Sequence, residues 1–302
     1  AGGIRVQCDI PMKRVPASGL CLDFKFQGIL GGHSGIEINN GLANANVLTG
    51  RFLSSLKNTC NYHVILMNGG VKENVIPKDA MFSLLVESAD LLSVQEVLDD
   101  FNAQVKAAFT TSDPNASLVM ANAGISDAYV LDEVSENKFL QALTLMPNGV
   151  QAMCEDLPDL VQTSLNMGVV SLSNDNLQLC FSIRSAVSSE KAALTEKVAE
   201  ITQSLGGVIS CSGDYPAWPY AKDSKLRKQC VDVYQKLYGK DPEIVTIHAG
   251  LECGIFSEKR PGLDCISIGP NLKDIHTIKE RASISSIARV WEFIKELLAL
   301  KE

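Results

Sequence analysis

Residues 20–27 alternate without a break: Leu20, Leu22, Phe24 and Phe26 are large and apolar, while the intervening Cys21, Asp23, Lys25 and Gln27 are not. A two-residue period places the two sets on opposite faces of a strand. This stretch must therefore lie in a sheet with one face on a core. Gly31-Gly32-His33-Ser34-Gly35 breaks the strand, and Leu42, Ala45, Val47, Leu48, Phe52 and Leu56 follow at helical spacing. His63–Met67 reads as a strand ending in the turn Asn68-Gly69-Gly70, and Met81–Val86 as another. Ser93-Val94-Gln95-Glu96 has the spacing of a capping box. It predicts a helix with Val94, Val97, Leu98, Phe101 and Val105 inward. Residues 110–165 carry weak signals and read as mixed helix and loop.

The pattern strengthens again from residue 166. Val169–Leu172 and Leu177–Arg184 flank Ser173-Asn174-Asp175-Asn176, a hairpin turn by composition. A helix over about 190–205 has Leu194, Val198, Ile201 and Leu205 as its inner stripe, ends at Gly206-Gly207, and leads into the strand Val208–Cys211. Gly70-Val71 and Gly168-Val169 are separated by 168 − 70 = 98 residues, and the same offset lays Met81–Val86 on Leu179–Arg184. Each of these strands precedes an amphipathic helix. Either two copies of a strand–strand–helix unit pack side by side, or two amphipathic units resemble each other by chance.

Composition shifts at Ser212-Gly213-Asp214-Tyr215-Pro216-Ala217-Trp218-Pro219, as at a crossing between domains. Beyond it the reading is a helix over 222–238, strands at Ile244–Ile247 and Cys265–Ile268, and a helix over 284–300 with Ile284, Ile287, Trp291, Ile294 and Leu298 inward. The expected fold class is α/β. Alternating helix and strand predicts a largely parallel sheet covered on both faces. Roughly ninety residues are few for such a domain, so the sheet is expected to need strands from outside this chain.

Charge narrows the function classes. A net charge of −8 and the lack of any basic run argue against nucleic acid or an anionic membrane as partner. No apolar stretch approaches the roughly 18 residues that span a bilayer, and no signal peptide is expected. The 9 cysteines are widely spaced with no Cys-x-x-Cys. They read as buried thiols of a reducing compartment, hence a cytoplasmic protein. The chain begins at Ala1, in strand-like sequence that reads as a continuation from upstream.

Four short motifs carry the chemistry. Gly31–Gly35 lets backbone approach a ligand and places His33 to steady an oxyanion; the same string also reads as a plain glycine turn. Asn74, in the connection 68–77, suits either a substrate oxygen or a turn. Arg184 alternates away from Leu177, Leu179, Phe181 and Ile183, where a guanidinium can grip a carboxylate bidentately or simply be solvated. His248-Ala249-Gly250-Leu251-Glu252-Cys253-Gly254 follows an apparent strand end, the usual ligand position of open α/β sheets. Ile268-Gly269-Pro270 leaves another, six residues before His276. The four histidines (33, 63, 248, 276) form no local metal motif, and no His-x-Asp or Glu-Glu pair occurs.

In this order the strings GGHSG (31–35), NGG…NVIPKDA (68–80), TSLNMGVV…IRS (163–185), HAGLECG (248–254) and IGP…H…E (268–280) resemble those of the Xaa-His (aminoacylhistidine, peptidase D) dipeptidases, relatives of carnosinase. The resemblance runs through all 302 residues. It implies a two-zinc catalytic domain interrupted by a lid: residues 1–18 leave its first part, 19–211 are the lid, and 212–302 return to the catalytic domain. It implies that His276 binds one zinc and that His33 stabilises the tetrahedral intermediate. Asn74, Arg184 and Gly250 would contact a small dipeptide, Arg184 through its terminal carboxylate; the role of Glu252 stays open. A homodimer is implied too. Two departures stand out. The family's Pro-His-Ser-Pro-x-Glu is here Ile275-His276-Thr277-Ile278-Lys279-Glu280, and the first half, with most metal ligands and the general base, is absent. The chain alone is therefore expected to be inactive. A non-catalytic substrate-binding or dimerisation module and a related metal-dependent amidase are the alternatives.

Overall fold

A computed structural model of the chain describes residues 1–173, 175–273 and 279–300. It runs β1 (Gly2–Pro11), β2 (Arg14–Gln27), β3 (Gly32–His33), α1 (Ala45–Lys57), β4 (Tyr62–Gly69), β5 (Val75–Ile76), β6 (Ala80–Val86), α2 (Leu91–Ala108) and β7 (Ser117–Leu131). Then come α3 (Glu133–Leu145), β8 (Gly149–Met153), β9 (Val161–Leu172), β10 (Asn176–Ser185), α4 (Ser188–Ser204) and β11 (Val208–Tyr215). The last part holds α5 (Lys225–Tyr238), α6 (Glu252–Lys259), β12 (Leu272–Lys273), β13 (Arg281–Ala282) and α7 (Ile284–Leu298).

The fold is α/β around one antiparallel sheet, ordered β11-β1-β10-β9-β4-β6-β2-β7 with β8 beside β9. The alternation at 20–27 lies in β2, and its apolar set is buried. Phe24 stacks on Phe82 of β6 at 4.9 Å between ring centres. Phe52 of α1 lies 5.2 Å from Phe24, and Phe101 of α2 lies 5.3 Å from Phe52. Each such buried ring contributes about 1.5–3 kcal/mol by leaving water. The hairpin around Ser173 joins β9 to β10, with Leu172 opposite Leu177.

The 98-residue echo is structural. Units β4–β6–α2 and β9–β10–α4 sit side by side, and β4 pairs with β9 where they meet, from Met67↔Leu172 to Gly69↔Val170. Gly70 has φ +73°, and the Gly168 carbonyl occupies the place of its missing Cβ.

Strand β1, within residues 1–18, pairs with β10 and β11 inside the sheet. Several expectations are corrected. Helix α2 starts at Leu91, and its N-cap Asp90 makes no side-chain cap bond. The turn Ser88–Asp90 already leads the chain into the helix, so Ser93 lies within it and caps nothing. The weak region 110–165 contains the 15-residue strand β7, which lies at the sheet edge. Its exposed residues include Val119, Ile125 and Tyr129, while the alternate positions Asn122, Gly124, Ser126 and Ala128 are small or polar, so no apolar face stands out in the sequence.

The last part departs most. Ile244–Ile247 and Cys265–Ile268 are not strands, and Ile244, Val245, Ile247 and Ile268 are exposed. The parallel sheet expected there does not form among the described residues. A buried strand needs neighbours for its backbone groups, and no strand in the described residues lies beside either segment. Helix α7 turns Phe293 onto α5, against Cys230 and Val233. Ile284, Ile287, Trp291 and Leu298 of the expected inner stripe are exposed. Among the described residues no helix is long and apolar enough to cross a membrane.

Candidate active site

The loop after β2 is held at both ends by one side chain. Asp113 is fully buried, and its two carboxylate oxygens accept from the N–H groups of Leu30 and Ala43, each at 2.7 Å. Within the loop, His33 pairs with Val75 across β3 and β5, and the Ser34 N–H donates to the Asn74 carbonyl at 3.0 Å. This small ladder brings the GGHSG motif to Asn74. The His33 Nδ1 accepts from the Gly35 N–H at 3.0 Å. An accepting Nδ1 leaves the proton of the neutral ring on Nε2, which is then a donor.

The connection bearing Asn74 is pinned from the other half of the sheet. Asn166 of β9 donates to the carbonyls of Glu73 and Val75, both at 2.8 Å. Asn44, which caps α1 through its side chain, in turn donates to Asn166 at 3.3 Å.

Arg184 alternates away from Ile183 as expected, but the face it reaches is not open. It is only 8% exposed, because that side of the sheet is covered from Ser182 to Ser185. Its Nη1 donates to the Tyr215 hydroxyl at 2.9 Å, while its Nε is buried with no partner. Arg5, Glu73, Asn74, Ser182, Arg184 and Tyr215 line one cavity of about 140 Å³. Arg5 pairs with Glu73 at 2.9 Å across it. A larger open recess of about 330 Å³, beside Trp218 and Asp264, holds none of the motif residues.

The HAGLECG segment closes on this cluster. His248 is buried and its Nε2 bonds the Ser164 hydroxyl at 2.8 Å. Burial holds its pKa down to about 3, with the Ala1 amino group and Arg184 adding to the fall and the Val161 carbonyl opposing it. His248 is thus a neutral ring at neutral pH. A Cβ on Gly35 would stand 2.7 Å from the His248 carbonyl oxygen, so the His33 loop abuts this segment directly. Gly250 packs on Tyr215: a Cβ there would lie 2.5 Å from the ring's Cε2. Glu252 is exposed in the first turn of α6. His276 lies outside the described residues.

The family described as a peptidase dimerisation domain matches residues 25–112. The cytosol non-specific dipeptidase of Escherichia coli K12 is 32% identical over 300 residues, covering 99% of this chain and 62% of that protein. The crystal structure of an aminoacylhistidine dipeptidase from Vibrio alginolyticus superposes with a TM-score of 0.93 at 30% identity, covering 100% of this chain and 62% of that one. The chain is similar to these two dipeptidases over its whole length. It spans about 62% of the length of either protein. A succinyl-diaminopimelate desuccinylase of Helicobacter hepaticus is a more distant relative, 26% identical over 143 residues.

Four motifs far apart in sequence come together in this chain. Asn74 and Arg184 share a cavity, Gly250 touches its tyrosine wall, and His33 is tied to Asn74 by backbone pairing. Sequence reading missed Asp113, Asn166, Ser164 and Tyr215. Asn166 and Ser164 lie inside the TSLNMGVV string and were within reach. Asp113 and Tyr215 act on partners 70 and 31 residues away, and no local pattern marks them.

Proposed function

We propose that the protein carrying this chain is a metal-dependent peptidase that hydrolyses dipeptides, with Xaa-His substrates of the carnosine kind as its class. In this reading the chain supplies the substrate side of the site. Residues 19–211, together with β1, are the lid, and 212–302 belong to the catalytic domain. The protein works as a homodimer in the cytoplasm. The observation that carries the reading is Arg184. A buried guanidinium with an unpartnered Nε and no carboxylate partner among the described residues bears a desolvation cost that an incoming carboxylate offsets.

The dipeptide's terminal carboxylate would dock on Arg184 through two parallel hydrogen bonds. Asn74, beside it in the cavity, would donate its side-chain amide to a substrate oxygen. Gly250 would serve the substrate from beside the Tyr215 ring, on which it packs. His33, with its proton on Nε2, would donate to the oxygen that becomes negative as the peptide carbon turns tetrahedral. Zinc is the metal implied, two ions per full-length subunit, with His276 as one ligand. Among the described residues no three His, Cys, Asp or Glu side chains group to hold a metal ion. No step is therefore routed through one, and activity is proposed for the protein that carries this chain, not for the chain alone.

The test is Arg184→Lys in that full protein. A lysine offers one point charge where the guanidinium offers a fork. Loss of a charged hydrogen bond, about 1.5–3 kcal/mol, lowers kcat/KM for free dipeptides roughly tenfold or more. A dipeptide amide, already a poor substrate, is expected to be indifferent to the change. Wild-type rates on free dipeptides would remove the carboxylate clamp.

A further inference from the structure

We propose that Tyr215 is the positioning residue of the carboxylate subsite, setting the orientation of Arg184 and with it the preference for a free C-terminus. The proposal rests on Arg184 being the carboxylate clamp. Three observations carry it.

The ring is confined on two sides. Tyr215 ends β11 opposite Gly3 of β1, beside the register shift between Gly3 and Arg5. A Cβ on Gly3 would run into the Tyr215 hydroxyl, and one on Gly250 into the ring edge. Two glycines from distant segments thus make a slot for one aromatic ring, between the sheet and the HAGLECG segment.

The backbone is fixed as well. Lys191 of α4, 9% exposed, donates to the Tyr215 carbonyl at 2.9 Å and pairs with Asp214. A nearly buried ammonium with two partners holds the end of β11 against the helix.

The hydroxyl faces the guanidinium. It accepts from Arg184 Nη1 at 2.9 Å, and among the described residues this is the one hydrogen bond that side chain makes. Held at Nη1, the planar fork can present its Nε edge to a carboxylate. A phenol oxygen that accepts from arginine also keeps its own proton free to donate, so the same group can add a hydrogen bond to the carboxylate. Phenylalanine would fill the slot equally well and lose both functions, which makes Tyr215→Phe the informative variant.

The experiment uses the full protein in four forms: wild type, Tyr215→Phe, Arg184→Lys and the double variant. Each is assayed on a free dipeptide and on its amide. Tyr215→Phe is expected to raise KM for the free dipeptide about three- to tenfold, the range of one hydrogen bond, with kcat changed less than about twofold. The amide KM is expected to stay put. Because both residues serve one carboxylate, the double variant should be no worse than Arg184→Lys alone, within about twofold. An unchanged KM for the free dipeptide, an equal rise for the amide, or additive losses in the double variant would each overturn the role of Tyr215 while leaving the clamp intact. No effect of Arg184→Lys on the free dipeptide would overturn the clamp itself, and the role of Tyr215 with it.

Discussion

Asp113 sits fully buried beneath the loop that carries His33, accepting from one N–H group near each end of it. Its loss would leave both donors short of a partner, and the Ala43 N–H is buried. Asp113→Ala is therefore expected to cost about 2–4 kcal/mol of folding stability, measured by urea unfolding. It should also lower kcat in the full protein, because β3 would no longer start from a fixed point. Asp113→Asn keeps one acceptor and should cost about half as much. Losses below about 0.5 kcal/mol for both variants would show that the loop is held by something else. The same logic separates the motif residues from their supports. His33, Asn74, Arg184 and Gly250 stand in short strings rich in glycine and polar residues, which single them out in the sequence. Asp113 and Tyr215 owe their places to partners across the fold, and no such string marks them.

At the scale of elements, legibility followed packing. Where the core is closed, period and burial agree. Leu194 and Val198 of α4 and the apolar set of β2 are buried as read. Strand β7 escaped notice because its alternate positions Asn122, Gly124, Ser126 and Ala128 are small or polar while Ile125 and Tyr129 are exposed, so no apolar period marks it. Helix α7 is the opposite case: its period is clear, yet Ile284, Ile287, Trp291 and Leu298 face outward. The exposed apolar residues of 244–247 belong to the same part of the chain. Large apolar side chains exposed together on one helix favour contact with apolar partners. The 302-residue chain by itself is thus expected to bind a dye such as ANS, and Ile287→Lys with Trp291→Lys should abolish most of that binding. Their cost in stability should stay within about 0.5 kcal/mol, as for surface positions. Absence of dye binding, or unfolding by the double substitution, would contradict an open face on α7.

For the whole molecule, the central fact is that one antiparallel sheet collects both halves of the echo and sets their ends against a single cavity. Asn74 arrives from the connection after β4, Arg184 from β10 and Tyr215 from β11, while Gly250 from the segment beyond packs on the Tyr215 ring. Sheet order explains the meeting: β9 pairs with β4 on one side and β10 on the other, so its Asn166 reaches the Asn74 connection while Arg184 lies one strand away. The pairing that unites these residues spans 93 positions of sequence, from Asn166 to Glu73, beyond the reach of any local pattern. The most direct test is a crystal structure of the full protein with a slowly hydrolysed dipeptide bound. The expected map shows both terminal carboxylate oxygens hydrogen-bonded to Arg184, with the Tyr215 hydroxyl still on Nη1 and Asn74 on a substrate oxygen. A dipeptide whose carboxylate lies elsewhere, with the Arg184 Nε still unpartnered, would contradict it.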